Sequence, residues 1–255
     1  MHRPMIFQKA GIWIVFSLFL VSIAPAQSNE QRASSRAQTR PRRLSKAFIV
    51  DDRLSALRRE ADMQSEVIQR LRLGRPLYII QSKGGVKGQP AFYRVAVTRR
   101  TRGWIHQSAV AVPGRAGEDQ RVMNLIDARD GLERLTLCRL FIEKFGRSPL
   151  LPRAMFAMAD ESDRASNSLT RNARKRLESL TEEENSVGVR DYYLNDPGLD
   201  RYSRLRIKFD FDEAANRYIY DGQAYRDIIR RFPNSDEAVR ARLRLIRMER
   251  ALARR

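Results

Sequence analysis

Cysteine is almost missing from this 255-residue chain; Cys138 stands alone. A disulfide framework needs paired cysteines, so none is expected, and the fold must rest on apolar cores. Histidine is as scarce, with only His2 and His106. A His-rich or Cys-rich metal site is therefore excluded, and no cofactor is expected. Lysine is outnumbered six to one: 7 Lys stand against 42 Arg, and the formal net charge is +19. A cationic surface that attracts anionic polymers or acidic proteins is one reading of that excess. A genomic preference for arginine on ordinary solvated faces is the other. After residue 23 no apolar run is long enough to span a bilayer, which takes ~20 residues.

The first 26 residues have a different character. Arg3 and Lys9 form a basic start without an acid, Ala10 to Ile23 is apolar, and Ala24-Pro25-Ala26 is a small-x-small site. This order predicts a cleavable secretory signal peptide over 1–26, so the chain is expected to be exported, periplasmic or extracellular. The apolar run is too short for a retained anchor. No cysteine lies near the cleavage site, so lipid attachment is not expected. Residues 27–46 carry six basic residues, Glu30 as their one acid, and almost no large apolar side chain. Such a composition predicts a disordered basic linker.

From residue 47 the pattern changes. Ala47–Val50, Pro76–Ile80, Phe92–Val97, Trp104–His106 and Ser108–Val112 read as strands, with glycines and polar turns between them. Several short strands in about 65 residues predict a small barrel over 47–112. Trp104 and one or both of Phe92 and Tyr93 are expected in its core. Four spaced features carry a resemblance. They are Leu54-Ser55-Ala56-Leu57-Arg58, then Glu66–Leu71 ahead of Gly74, then Phe92-Tyr93-Arg94-Val95, and a closing Gly103-Trp104-Ile105. In this order they resemble the bacterial SH3-like (SH3b) domain of exported envelope proteins. The chain departs from that pattern at Ser55 and Glu60-Ala61. The resemblance implies a groove for a peptide or for peptidoglycan, and Tyr78, Tyr93, Trp104, His106, Arg100 and Arg102 are the candidate ligand-binding residues.

Residues 115–255 read as helical, with breaks near 146–149, 185–198 and 233–235. Val122, Leu125, Ile126, Leu132, Leu135, Cys138, Phe141 and Ile142 fit one buried helical stripe over 118–145. Leu151 to Asp163 is expected to start a second helix, and Leu169 to Leu180 to continue helical. An offset of 87 residues aligns Phe145 with Phe232, Ser148 with Ser235, Ala154 with Ala241 and Phe156 with Leu243. Each copy reads as helix, break, helix: the glycine or proline stops the ladder and the serine can cap the second helix. Tyr225 to Ala238, with Phe232-Pro233-Asn234-Ser235 at its centre, resembles the tetratricopeptide-like (TPR-like) repeats of bacterial envelope proteins. An offset of 87 is not a multiple of their ~34-residue period.

The expected fold class is therefore α+β and multidomain: a small SH3-like β-barrel followed by an all-α, repeat-like helical domain. No catalytic set emerges. Cys138 sits in an apolar helical stretch and His106 in the preceding domain, and Asp51-Asp52, Asp210 with Asp212-Glu213, and Glu182–Glu184 read as solvated charge. The expected function is a non-catalytic exported adaptor of the cell envelope. Its SH3-like part would engage cell wall or a peptide, and its helices a protein partner. The alternatives are an accessory or cryptic cell-wall hydrolase and an electrostatic binder of an anionic envelope polymer. Nucleic acid is not expected as a partner.

Overall fold

Alternating side chains decide the sheet. In Phe92–Ala96 and Arg102–His106, residues of one parity are apolar and buried while the others are mostly polar or only partly covered. The computed structural model describes residues 45–85, 91–179 and 188–253. The expected signal peptide, most of the expected linker, Val86-Lys87-Gly88 of the glycine-rich loop, and Glu182–Glu184 lie outside the described residues. The strands are β1 Ser45–Ile49, β2 Ala56–Arg58, β3 Val67–Arg70, β4 Pro76–Lys83, β5 Phe92–Ala96, β6 Arg102–His106 and β7 Val110–Ala111. Ser45 and Lys46 already pair with Ile79 and Tyr78, so the region read as linker gives way to strand by residue 45.

The seven strands form one antiparallel sheet in the order β3-β2-β6-β5-β4-β1-β7. It is not the closed barrel expected: β3 and β7 are its edges. The β7 edge is satisfied by a helix instead. Arg121 donates to the Ser108 carbonyl at 3.1 Å and to the Val110 carbonyl at 2.5 Å, and Glu118 accepts from the Val112 N–H at 3.1 Å. The two side chains also pair with each other at 2.9 Å. An edge covered in this way has no free groups left with which to recruit β3.

One face of the sheet buries its own core of Ala47, Ile49, Leu57, Leu71, Leu77, Tyr93, Val95, Ile105 and Val110. At the β1–β7 end the opposite face meets the helices. Phe48, Val50 and Ala111 join a larger cluster with Val122, Ile126, Cys138, Phe141 and Phe145, and the Phe48 and Phe145 rings meet edge-on at 6.0 Å. Sheet and helices thus share a core, and the described residues belong to one compact unit.

The helices are α1 Glu118–Asp127, α2 Gly131–Lys144, α3 Leu151–Glu178, α4 Val189–Leu194, α5 Asp200–Ser203, α6 Gln223–Arg231 and α7 Asp236–Ala253. The stripe read as continuous over 118–145 is broken, because Asp130 is extended and Gly131 turns the chain at φ +54°. The helical stretches expected from Leu151 and from Leu169 form one helix, of 28 residues. The region is also not all-α. A hairpin of β8 Phe209–Asp212 and β9 Arg217–Tyr220 interrupts it. Phe209 pairs with Tyr220 and Phe211 with Tyr218. Tyr218 donates its hydroxyl proton to the Tyr193 carbonyl at 2.6 Å, and its N–H bonds Thr170 of α3 at 2.9 Å. Period-2 aromatics on one face, stapled to α3, overrule the helical reading here.

The internal repeat is physical. Phe145 N–H bonds the Phe141 carbonyl at 2.8 Å, Ser148 N–H the Phe145 carbonyl at 2.9 Å, and Leu151 N–H the Ser148 carbonyl at 3.1 Å. At an offset of 87, Phe232 bonds Ile228 at 2.8 Å, Ser235 bonds Phe232 at 3.0 Å, and Ala238 bonds Ser235 at 3.0 Å. Ser235 Oγ also accepts from the Ala238 N–H at 3.2 Å, as a cap does. The α2–α3 and α6–α7 hairpins are neighbours in space, since α3 packs on α6 and α7. The long tail of α3, α4, α5 and the β8–β9 hairpin are inserted between them, which explains why the offset exceeds one repeat.

Candidate binding face

Register assembles a face that no single strand displays. Arg58 of β2 lies opposite Trp104 of β6, and Trp104 opposite Arg94 of β5. One row further, Arg102 lies opposite Ala96, Ala96 opposite Tyr78 of β4, and Tyr78 opposite Lys46 of β1. On the other side His106 lies opposite Phe92, and Phe92 opposite Lys83. A bulge between Ile79 and Gln81 keeps Tyr78 and Gln81 on one face despite their odd spacing. All these residues share the parity opposite to Tyr93, Val95 and Ile105, and so lie on the face turned away from the sheet's own core.

Four of the six candidates therefore meet on one surface: Tyr78, Trp104, His106 and Arg102. Tyr78 is 42 % exposed. Trp104 is half-buried, not in the core, while Phe92 and Tyr93 are both buried. The Phe92 ring meets His106 edge-on at 5.8 Å, and His106 Nδ1 accepts from the Ser108 N–H at 3.2 Å. Tyr93 faces inward; its hydroxyl accepts a hydrogen bond from Arg115, whose guanidinium lies 5.7 Å from the ring centre. Tyr93 and His106 meet only at the sheet's end, where they help line a recess of about 240 Å³ with Glu118 and Arg121. Arg100 sits at the exposed β5–β6 turn, its N–H bonded to Thr98 Oγ1 at 3.2 Å. Arg58, Arg94 and Lys46 were missed. The alternation of Phe92-Tyr93-Arg94-Val95 placed Arg94 opposite the core, but only cross-strand register brings Arg58 and Lys46 beside it.

The face is cationic throughout. Among the described residues no carboxylate pairs with Lys46, Arg58, Arg94 or Arg102; Arg58 donates instead to the Ser65 carbonyl at 2.6 Å. Past Tyr78 the surface dips into a groove of about 570 Å³ between the sheet and the end of α2, lined by Lys46, Phe48, Pro76, Pro113, Glu143 and Lys144. A flat basic-aromatic surface running into an apolar-walled groove can hold an extended anionic ligand with some apolar bulk.

Several of the groups considered for catalysis are buried or paired. Cys138 is fully buried, and desolvation pushes its thiol up to about 12. A thiol so protonated is a poor nucleophile. In the native protein Cys138 is expected to resist a neutral-pH thiol reagent, and to react stoichiometrically once unfolded in guanidinium; fast native labelling would contradict this burial. Asp51 is paired with Arg53 at 2.7 Å, Asp212 with Arg217 at 3.3 Å, and Glu213 with Arg190 at 2.6 Å. Among the described residues no group of three or more His, Cys, Asp or Glu could hold a metal ion, and no helix is long and apolar enough to cross a membrane. No protein-family model, curated protein or solved structure matches the chain.

Proposed function

We propose that this chain is an exported, non-catalytic binding protein of the bacterial cell envelope. Its SH3-like sheet engages cell wall or a peptide, and its TPR-like helices engage a protein partner. The observation that carries this reading is the sheet's outer face. Trp104 stands between Arg58 and Arg94, with Arg102, Tyr78 and Lys46 in the adjoining row, and no carboxylate pairs with these cations among the described residues. Arginines and lysines arranged around half-exposed aromatics suit a polymer or peptide that offers carboxylates on an apolar frame. The helical part supports the second half of the reading through its two successive hairpins with the same break.

The test is co-sedimentation of the chain lacking residues 1–26 with isolated peptidoglycan sacculi, at about 50 and 300 mM salt. Saturable binding is expected, weakened ~10-fold or more by Trp104→Ala and comparably by Arg94→Glu. Both side chains lie outside the core, so far-UV circular dichroism should be unchanged. Binding that collapses with salt but ignores Trp104 would replace this reading with bare attraction to an anionic polymer.

A further inference from the structure

Helix α7 carries an apolar stripe that nothing covers among the described residues. Val239, Leu243 and Ile246 recur at i, i+4 and i+7 and are 54, 53 and 42 % exposed. The other side of the helix is fully used: Ala238 and Ala241 are buried, and Leu245 and Met248 pack on the core. So the stripe is a second apolar face on a helix already docked by its first.

The internal repeat shows what such a face does. Subtracting 87 from Val239, Leu243 and Ile246 gives Pro152, Phe156 and Ala159 of α3. There the face is occupied. Pro152 and Ala159 are buried, and Phe156 meets Tyr225 of α6 edge-on at 5.7 Å. In the first hairpin, then, this face receives the amphipathic helix that opens the next hairpin. The second hairpin presents the same face with nothing received among the described residues.

We propose that the Val239–Leu243–Ile246 stripe is a docking surface for an acidic amphipathic helix of another protein. This rests on the reading of the helical part as partner-binding and specifies its site. Charge selects the class of helix. At 100° per residue Arg242 and Arg247 border the stripe and Arg250 extends it, with Glu249 as the acid beside them. Among the described residues neither Arg247 nor Arg250 has an ion-pair partner, and Arg242 donates only to the Pro233 carbonyl at 3.3 Å. A helix with carboxylates flanking its apolar positions would pair with these guanidinium groups. A second copy of α7 would set arginines against arginines.

The test uses the chain lacking residues 1–26 and two designed helical peptides with the same Leu and Tyr positions. One has Glu at the flanking positions and the other Lys. Fluorescence anisotropy should show the acidic peptide bound at least ~10-fold tighter than the basic one. Leu243→Asp should abolish the binding, and Arg242→Glu/Arg247→Glu, which leaves the stripe itself intact, should erase the preference. Both peptides binding equally, neither binding, or a sedimenting dimer that Leu243→Asp disperses would each overturn the proposal. Sacculus binding is measured on the same variants: it should persist in Leu243→Asp, and peptide binding should persist in Trp104→Ala. The two readings therefore fail separately.

Discussion

Gly103→Ala should lower the urea midpoint markedly, with a loss of about 2–3 kcal/mol. A Cβ built on Gly103 would lie 2.7 Å from the Arg58 carbonyl, 2.9 Å from Leu57 Cγ and 3.0 Å from Ile68 Cδ1. The first of these atoms is backbone of the neighbouring strand and has no rotamer by which to retreat. Strand β2 would have to move off β6, uncovering Leu57, which is fully buried. Trp104 would then lose Arg58 as its cross-strand neighbour, so sacculus binding should weaken with stability. Gly84→Ala is the control. Nothing lies within 4 Å of its Cβ position, and a change within about ±0.5 kcal/mol is expected. Equal midpoints for the two variants would show that β2 does not approach β6 as closely as described. The glycine of the Gly-Trp-Ile triplet is thus a requirement of strand approach. The tryptophan after it points the other way, to the sheet's outer face.

What the sequence revealed depended on whether the signal was local. Strands β4, β5 and β6 were legible because β-branched and aromatic residues cluster between glycines and polar turns. The two helix–break–helix copies were legible because Phe, then Gly or Pro, then Ser is a local stop-and-start signal. The middle of helix α3 shows no apolar stripe in the sequence, because Asp160-Glu161-Ser162-Asp163-Arg164 is a run of polar residues. Those residues face neighbours that only the fold supplies. Glu161, 5 % exposed, accepts from the Gly131 N–H at the start of α2 at 2.8 Å, and Asp160 pairs with Arg244 of α7 at 2.7 Å. The β8–β9 hairpin was missed for the converse reason: four-residue strands carry too little period-2 signal. Tyr218 lies in β9 and Tyr225 in α6, and both are buried. The candidate face was half legible. Its aromatics stood out as residues, but its arginines became neighbours only through pairing across β2, β6, β5, β4 and β1, and register of that kind is a tertiary property.

Asp51→Ala should cost about 3 kcal/mol at neutral pH, and most of that should vanish in acid. Asp51 follows β1 and is 4 % exposed. It accepts from Arg53 Nη2 at 2.7 Å and Nε at 3.0 Å, and its carboxylate lies 3.6 Å from Arg129 Nη2 just beyond α1. Arg129 is itself largely buried and its Nη2 makes no hydrogen bond; two carboxylates balance its charge, Glu133 on Nε at 2.6 Å and Asp51 beside Nη2. Removing the carboxylate leaves a guanidinium under-compensated at the junction of sheet and helices. Arg53 is mostly exposed and loses little. The hydrogen bonds from Arg53 chiefly hold the Asp51 carboxyl below its ordinary value of 3.8, against the opposing effect of burial, and Arg129 adds to the lowering. A carboxyl depressed in the folded state binds its proton more readily once unfolded. Its contribution is therefore complete above the unfolded value and is lost as pH falls through the folded one. Wild type and Asp51→Ala should differ fully at about pH 6, and the difference should shrink as pH falls below 3.8 towards the depressed folded value, read as urea midpoints. A difference that stays constant into acid would mean that Asp51 acts through packing alone, and that the charge on Arg129 is balanced without it.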